Sequence, residues 1–145
     1  MVEISLTYQG GFRCLSTHGP SGALLPTDAP KDNLGQGEAF SPTDLTATSL
    51  AACMLTTMAI VAEKKSLQVD LAGVTARVGK HMTAEPPRRI AKVEVEVNLP
   101  LSDVHPDREV LEQAARNCPV SLSLHPGVEQ AVTFVWRGPG ARAPK

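Results

Sequence analysis

From Leu45 to Ala62 the chain carries no charged residue. Leu45, Thr48, Ala52, Leu55, Ala59 and Ala62 recur on one side of a helix, and Leu50, Met54, Met58 and Val61 on a second. That spacing predicts one long helix from Ser41 to about Lys65. Ser41 suits the N-cap, Pro42 the first helical position, and Asp44 the third, where its carboxylate completes a weaker form of the capping box. Lys64 and Lys65 suit the negative end of the helix dipole. A helix apolar on most sides is usually buried. At about 36 Å it is too long for one thin sheet to cover, so it is expected to form a central helix that meets a second copy of the chain.

The flanking patterns have period two. Val2, Ile4, Leu6 and Tyr8 alternate with polar residues, Gly10-Gly11 marks a turn, and Phe12–Thr17 and Ala23–Pro26 read as two further strands of a meander. Residues 27–40 form a loop with two glycines; a functional segment and a plain surface connection are both open readings. After the helix, Leu67–Arg77 reads as a strand with a bend or bulge at Gly73, and Lys80–Arg89 as a polar turn around Pro86-Pro87. Ile90–Leu99 is the clearest strand, with Val93, Val95 and Val97 facing inward and Glu94, Glu96 and Asn98 outward. The two are expected to pair as an antiparallel hairpin. Pro106–Asn117 is predicted helical through Val110, Leu111, Ala114 and Ala115, and ends before Pro119. Val120–Leu124 adds a short turn and Glu129–Trp136 a last strand. The order βββ-α-ββ-α-β predicts an α+β fold with helices against antiparallel sheets. Residues 1–137 make a single domain and 138–145 a disordered tail.

Composition narrows the function. A net charge of −1 over 145 residues offers no strong field to nucleic acid or to an anionic membrane. The Leu45–Ala62 run is short for a membrane span and rich in Thr and Ser. The N-terminus lacks the basic and apolar regions of a signal peptide, so a cytoplasmic location is expected. Three cysteines, at 14, 53 and 118, form no CxxC pair, and in a reducing compartment they argue for a transient, functional disulfide rather than a structural one. The histidines at 18, 81, 105 and 125 have no metal-ligand spacing, and no metal or cofactor is expected.

A buried cysteine is most often a small hydrophobe. Three features carry Cys53 and Cys118 further. Cys118 stands at a helix end before Pro119, where backbone N–H groups can lower a thiol pKa. Both belong to helical elements expected on the same sheet. The chain holds no GxSxG and no glycine-rich phosphate loop. Cys14, in a strand, is taken as structural.

FSPTDLTATSLAAC (40–53) followed by ARNCPVSLSL (115–124) resembles the OsmC/Ohr family of osmotically induced and organic hydroperoxide resistance proteins. HGPSG (18–22) and the 27–38 segment resemble its branch of uncertain substrate. The resemblance runs to about Phe134. It implies an OsmC-like fold, an intertwined homodimer with sites at the subunit interface, and a two-cysteine peroxidase. In that scheme Cys53 is oxidised by a hydroperoxide to a sulfenic acid, Cys118 closes a disulfide on it, and a dithiol reduces the pair. The peroxidases also use an arginine of the N-terminal sheet and a glutamate near the helix start to hold the first cysteine as thiolate. Arg13 matches the first role, with Arg88 and Arg89 as alternatives. Asp44, shorter and nine residues before Cys53, stands near the second, with Glu38 as a spare acid. Phe40, Leu50, Met54 and Met58 are the expected lining of an apolar substrate pocket. The competing reading is a non-catalytic stress-response or ligand-binding protein on the same scaffold, with packed, unreactive cysteines.

Overall fold

The computed structural model describes residues 1–138. It divides into two compact units, residues 1–46 and residues 47 onward. The tail expected from 138 falls, beyond Gly138, outside the described residues.

The first unit is a three-stranded antiparallel sheet in the order β1 (Ile4–Gly10), β2 (Arg13–His18), β3 (Leu24–Asp28). Tyr8 faces Cys14 and Leu6 faces Ser16, which in turn faces Leu25. Side chains alternate across a sheet, so Ile4, Leu6, Tyr8 and Leu25 share one face, and all four are exposed in the single chain. The segment after β3 is ordered. A short 3-10 turn over Lys31–Asn33 ends at Leu34, in the left-handed region at φ 68°. Gly35 and Gly37 donate to the carbonyls of Pro30 and Ala29 at 3.1 and 3.2 Å. The unit closes on the start of α1 (Pro42–Lys64).

In the second unit α1 presents Ala47, Leu50, Ala51, Met54, Met58 and Ala62 to the core, with Leu50, Met54 and Met58 fully buried. This is the Leu50–Met54–Met58 side of the predicted helix. On the other side Thr48, Ala52 and Ala59 are exposed. The helix is long and apolar enough to cross a bilayer, and here a third of that stretch is buried inside the chain. Its partner is a sheet ordered β4 (Thr75–Met82), β5 (Ile90–Leu99), β6 (Glu129–Trp136). Val93, Val95, Val97 and Leu99 of β5 are buried together with Leu111 and Ala115 of α2 (Arg108–Arg116). The opposite face is wet at Glu94 and closed over Asn98.

Two expectations change. The strand read at Leu67–Arg77 begins only at Thr75. Ahead of it Asp70 Oδ1 accepts from Ala72 N–H at 2.8 Å and Gly73 takes φ +82°, which folds the chain into a turn. Leu67, Val69 and Leu71 pack on the core from an irregular segment; alternate burial without a ladder imitates a strand pattern. β4 then continues through Lys80 and His81, because each pairs with a β5 residue and His81 Nε2 reaches Glu94 at 3.1 Å. The second difference is in strand direction. β4 and β5 are antiparallel as expected, but β5 and β6 are parallel. A parallel neighbour needs a long crossover, and α2 with α3 (Pro119–Ser123) supplies it.

Candidate functional site

The N-cap reading of α1 holds atom by atom. Ser41 Oγ accepts from Asp44 N–H at 3.1 Å, and Asp44 Oδ2 accepts from Ser41 N–H at 2.8 Å. Asp44 thus serves the reciprocal box at the helix start.

Arg13 and Glu38 come together in the first unit, joined by a residue not singled out in the sequence. The Arg13 guanidinium donates to Glu38 and lies 3.5 Å from Asp28 Oδ2. Asp28 is buried and also accepts from the Glu38 and Gln36 N–H groups, at 2.9 and 3.5 Å. The Glu38 N–H, more than Arg13, holds the Asp28 carboxyl below its usual range against the opposing effect of burial. Asp28 therefore fastens the 29–40 loop to β2. No spacing rule pairs a strand-end acid with amides eight and ten residues on, so pattern reading does not find it. Phe40 is exposed, and its carbonyl accepts from Asp28 N–H at 3.1 Å.

The second unit holds both Cys53 and Cys118. Cys53 lies mid-helix and half-buried, with Thr57 Oγ1 4.0 Å from its sulfur. Cys118 is fully buried as the N-cap of α3, and its sulfur accepts from Ser121 N–H at 3.4 Å. Burial pushes the Cys118 thiol up. The N–H groups of Ser121 and Val120 pull it down, while Cys53 pushes it up, both as partner in a side-chain hydrogen bond and through its charge. Cys118 is therefore near enough to Cys53 to feel its charge.

Leu50 and Met54 lie in the core; Met58, equally buried, also borders a cavity of about 640 Å³ with Leu55, Ala59, Leu67, Val69 and Val74. Among the described residues no group of three or more His, Cys, Asp or Glu side chains could hold a metal ion.

Fold and site define a class: a two-sheet α+β protein with a half-buried cysteine on its long helix α1 and a buried one at the cap of α3. The OsmC-like protein family model matches residues 35–133, and the chain belongs to that family. Among solved structures, a protein of Psychrobacter arcticus, provisionally named for osmotic stress induction and a detoxification response, is 42% identical, with a TM-score of 0.85 over 92% of this chain and 96% of that one. The organic hydroperoxide resistance protein OsmC of Legionella pneumophila superposes with a TM-score of 0.73 at 18% identity, over 93% and 96%. An organic hydroperoxide resistance protein of Elizabethkingia anophelis, with thiocyanate bound, gives 0.72 at 20%, over 94% and 96%. No curated protein matches.

Proposed function

We propose that the protein is a thiol-dependent peroxidase that reduces organic hydroperoxides. The observation that carries this reading is a pair of thiols in unlike surroundings, Cys53 half-buried and Cys118 buried, with Cys118 near enough to feel the charge of Cys53. The Cys53 thiolate attacks the peroxide oxygen; the O–O bond breaks, an alcohol leaves, and Cys53 becomes a sulfenic acid. The Cys118 sulfur then attacks the sulfenic sulfur, water leaves, and a disulfide joins the two. An external dithiol returns both to thiols. The buried thiol suits the resolving role, since its attack is intramolecular and needs no access to solvent.

We assign the working form to a cytoplasmic homodimer. Exposed Ile4, Leu6, Tyr8 and Leu25 on one sheet face, and exposed Ile60 on α1, make apolar surface that a second copy would cover.

The test is turnover of cumene hydroperoxide with dithiothreitol. Cys53→Ser should abolish consumption. Cys118→Ser should consume one equivalent and stall, with the sulfenic acid trapped by dimedone. Equal multi-turnover activity in both variants would refute the scheme. One observation favours the non-catalytic reading: Arg13, the arginine marked as an activator, is already held by two carboxylates. Alkylation of native Cys53 no faster at pH 7 than that of a free model thiol would support that alternative.

A further inference from the structure

Ser121 is the fourth residue of the Cys-Pro-Val-Ser segment, and the scheme above gives it no part. In the structure it is a junction. Its N–H donates to Cys118 Sγ at 3.4 Å, its hydroxyl donates to Gln130 Oε1 at 2.8 Å, and its carbonyl accepts from Gln130 Nε2 at 3.0 Å. The carboxamide orientation is forced, because only its NH₂ can donate to a carbonyl. Gln130 stands in β6 opposite Val93, which is fully buried at the centre of the sheet. α3 is a five-residue helix, too short to hold its shape without tertiary contacts. Its connection to the rigid sheet through a side chain is this double bond from Gln130.

We propose that Gln130 is a positioning residue for the resolving step: by clamping Ser121 it fixes the turn whose N–H falls on Cys118 Sγ, and so keeps that sulfur in place to close the disulfide on Cys53. The inference rests on the peroxidase reading for its rate consequence, but not for the clamp itself. Without the clamp, α3 loosens, the Ser121 N–H leaves the sulfur part of the time, and the attack geometry is populated less often. Gln130 touches neither reacting sulfur, so its effect falls on disulfide closure and not on peroxide attack.

The first arm of the test is a single turnover by rapid mixing, with one equivalent of cumene hydroperoxide added to the reduced protein. Sulfenic acid formation and its decay to disulfide are followed by timed quenching and mass analysis. Gln130→Met keeps the side-chain length and removes both bonds. It should leave sulfenic acid formation within about twofold of wild type and slow disulfide closure about tenfold, the scale of one or two lost hydrogen bonds. Ser121→Ala, which loses only the hydroxyl bond, should fall between, and the double variant should be no slower than Gln130→Met alone. Closure at the wild-type rate in Gln130→Met would overturn the proposal, as would an equal slowing of both phases.

The second arm reads the clamp without peroxide. In a Tyr8→Phe/Cys14→Ala/Cys53→Ala background, which removes the other cysteines and the one tyrosine, the ultraviolet absorbance of the thiolate follows Cys118 alone. Adding Gln130→Met should raise its titration midpoint, because a hydrogen bond to the thiolate is lost. An unchanged midpoint would refute the clamp. Failure of wild type to form any disulfide, with the midpoint still raised by Gln130→Met, would count against the peroxidase reading while leaving the clamp standing.

Discussion

Leu50→Ala should be among the most damaging single truncations of the core. Leu50 is fully buried on α1, in the cluster built with Val93, Val95, Val97 and Leu111. Removing its isobutyl group forfeits the transfer free energy of the lost carbons and leaves a cavity that β5 and α2 cannot collapse to fill. Such truncations cost about 2–5 kcal/mol. A site with no solvent access belongs in the middle of that range, about 3 kcal/mol, against a total stability of about 5–15 kcal/mol for a domain. For a chain of 145 residues that is a fall in Tm of roughly 6–12 °C. Urea unfolding followed by far-ultraviolet circular dichroism measures it, at one protein concentration throughout, since an associating protein gains stability by mass action. Glu85→Ala, in the exposed turn after β4, is the control and should stay within about 0.5 kcal/mol of wild type. A cost below about 1 kcal/mol for Leu50→Ala, with an unchanged m-value, would refute the burial argument and free Leu50 for a surface role.

Gly35→Ala should break open the 29–40 loop, because an added Cβ would lie 1.7 Å from the Ala29 carbonyl oxygen; faster hydrogen exchange at the Gln36 and Glu38 amides would report it, and unchanged exchange would contradict it. Wild type should sediment as a dimer at micromolar concentration and Leu6→Asp as a monomer, whereas a monomeric wild type would sink the homodimer assignment. Cys118 predicts an alkaline loss of stability in the reduced protein: its folded pKa is raised, so the native state holds the proton longer than the unfolded chain, and the contribution is complete below the ordinary value of 9.0 and lost as pH rises through the folded value. Cys118→Ala should flatten that part of the pH–stability curve, and an identical slope in both proteins would show that another group is responsible.

Periodicity and end signals made the elements legible. The Ser41 cap and Pro42 fixed where α1 starts, and the alternating valines of β5 fixed which of its faces is buried. The same logic failed at Leu67–Leu71, where alternate residues are covered by the core without a neighbouring strand. Local pattern records which residues are buried but not whether the backbone has a hydrogen-bonding partner. The direction of β6 was hidden for a related reason: its own residues are the same in either orientation, and only the α2–α3 crossover decides it. Family motifs pointed to Cys53 and Cys118, and the fold sets the first half-buried on α1 and the second buried at the cap of α3. Asp28 and Gln130 were invisible because each acts in part on backbone groups, which leave no signature in the side-chain sequence.

On the peroxidase reading, a division of labour between the two thiols would follow from their positions. A peroxidatic thiol must meet an external molecule; a resolving thiol must meet only its neighbour. Cys53, half-buried on a helix, can satisfy the first demand, and Cys118, sealed in the core at the cap of α3, only the second. Burial, and to a lesser degree the hydrogen bond and charge of Cys53, push the Cys118 thiol up. On the peroxidase reading, oxidation of Cys53 to a neutral sulfenic acid would remove the smaller, Cys53 part of that rise. The Ser121 and Val120 N–H groups act in the same direction throughout. Burial opposes them, and it is the largest influence on Cys118. On that reading, holding those N–H groups on the sulfur is what would let a sealed thiol react, and through them an anchor as remote as Gln130 would bear on the rate of closure.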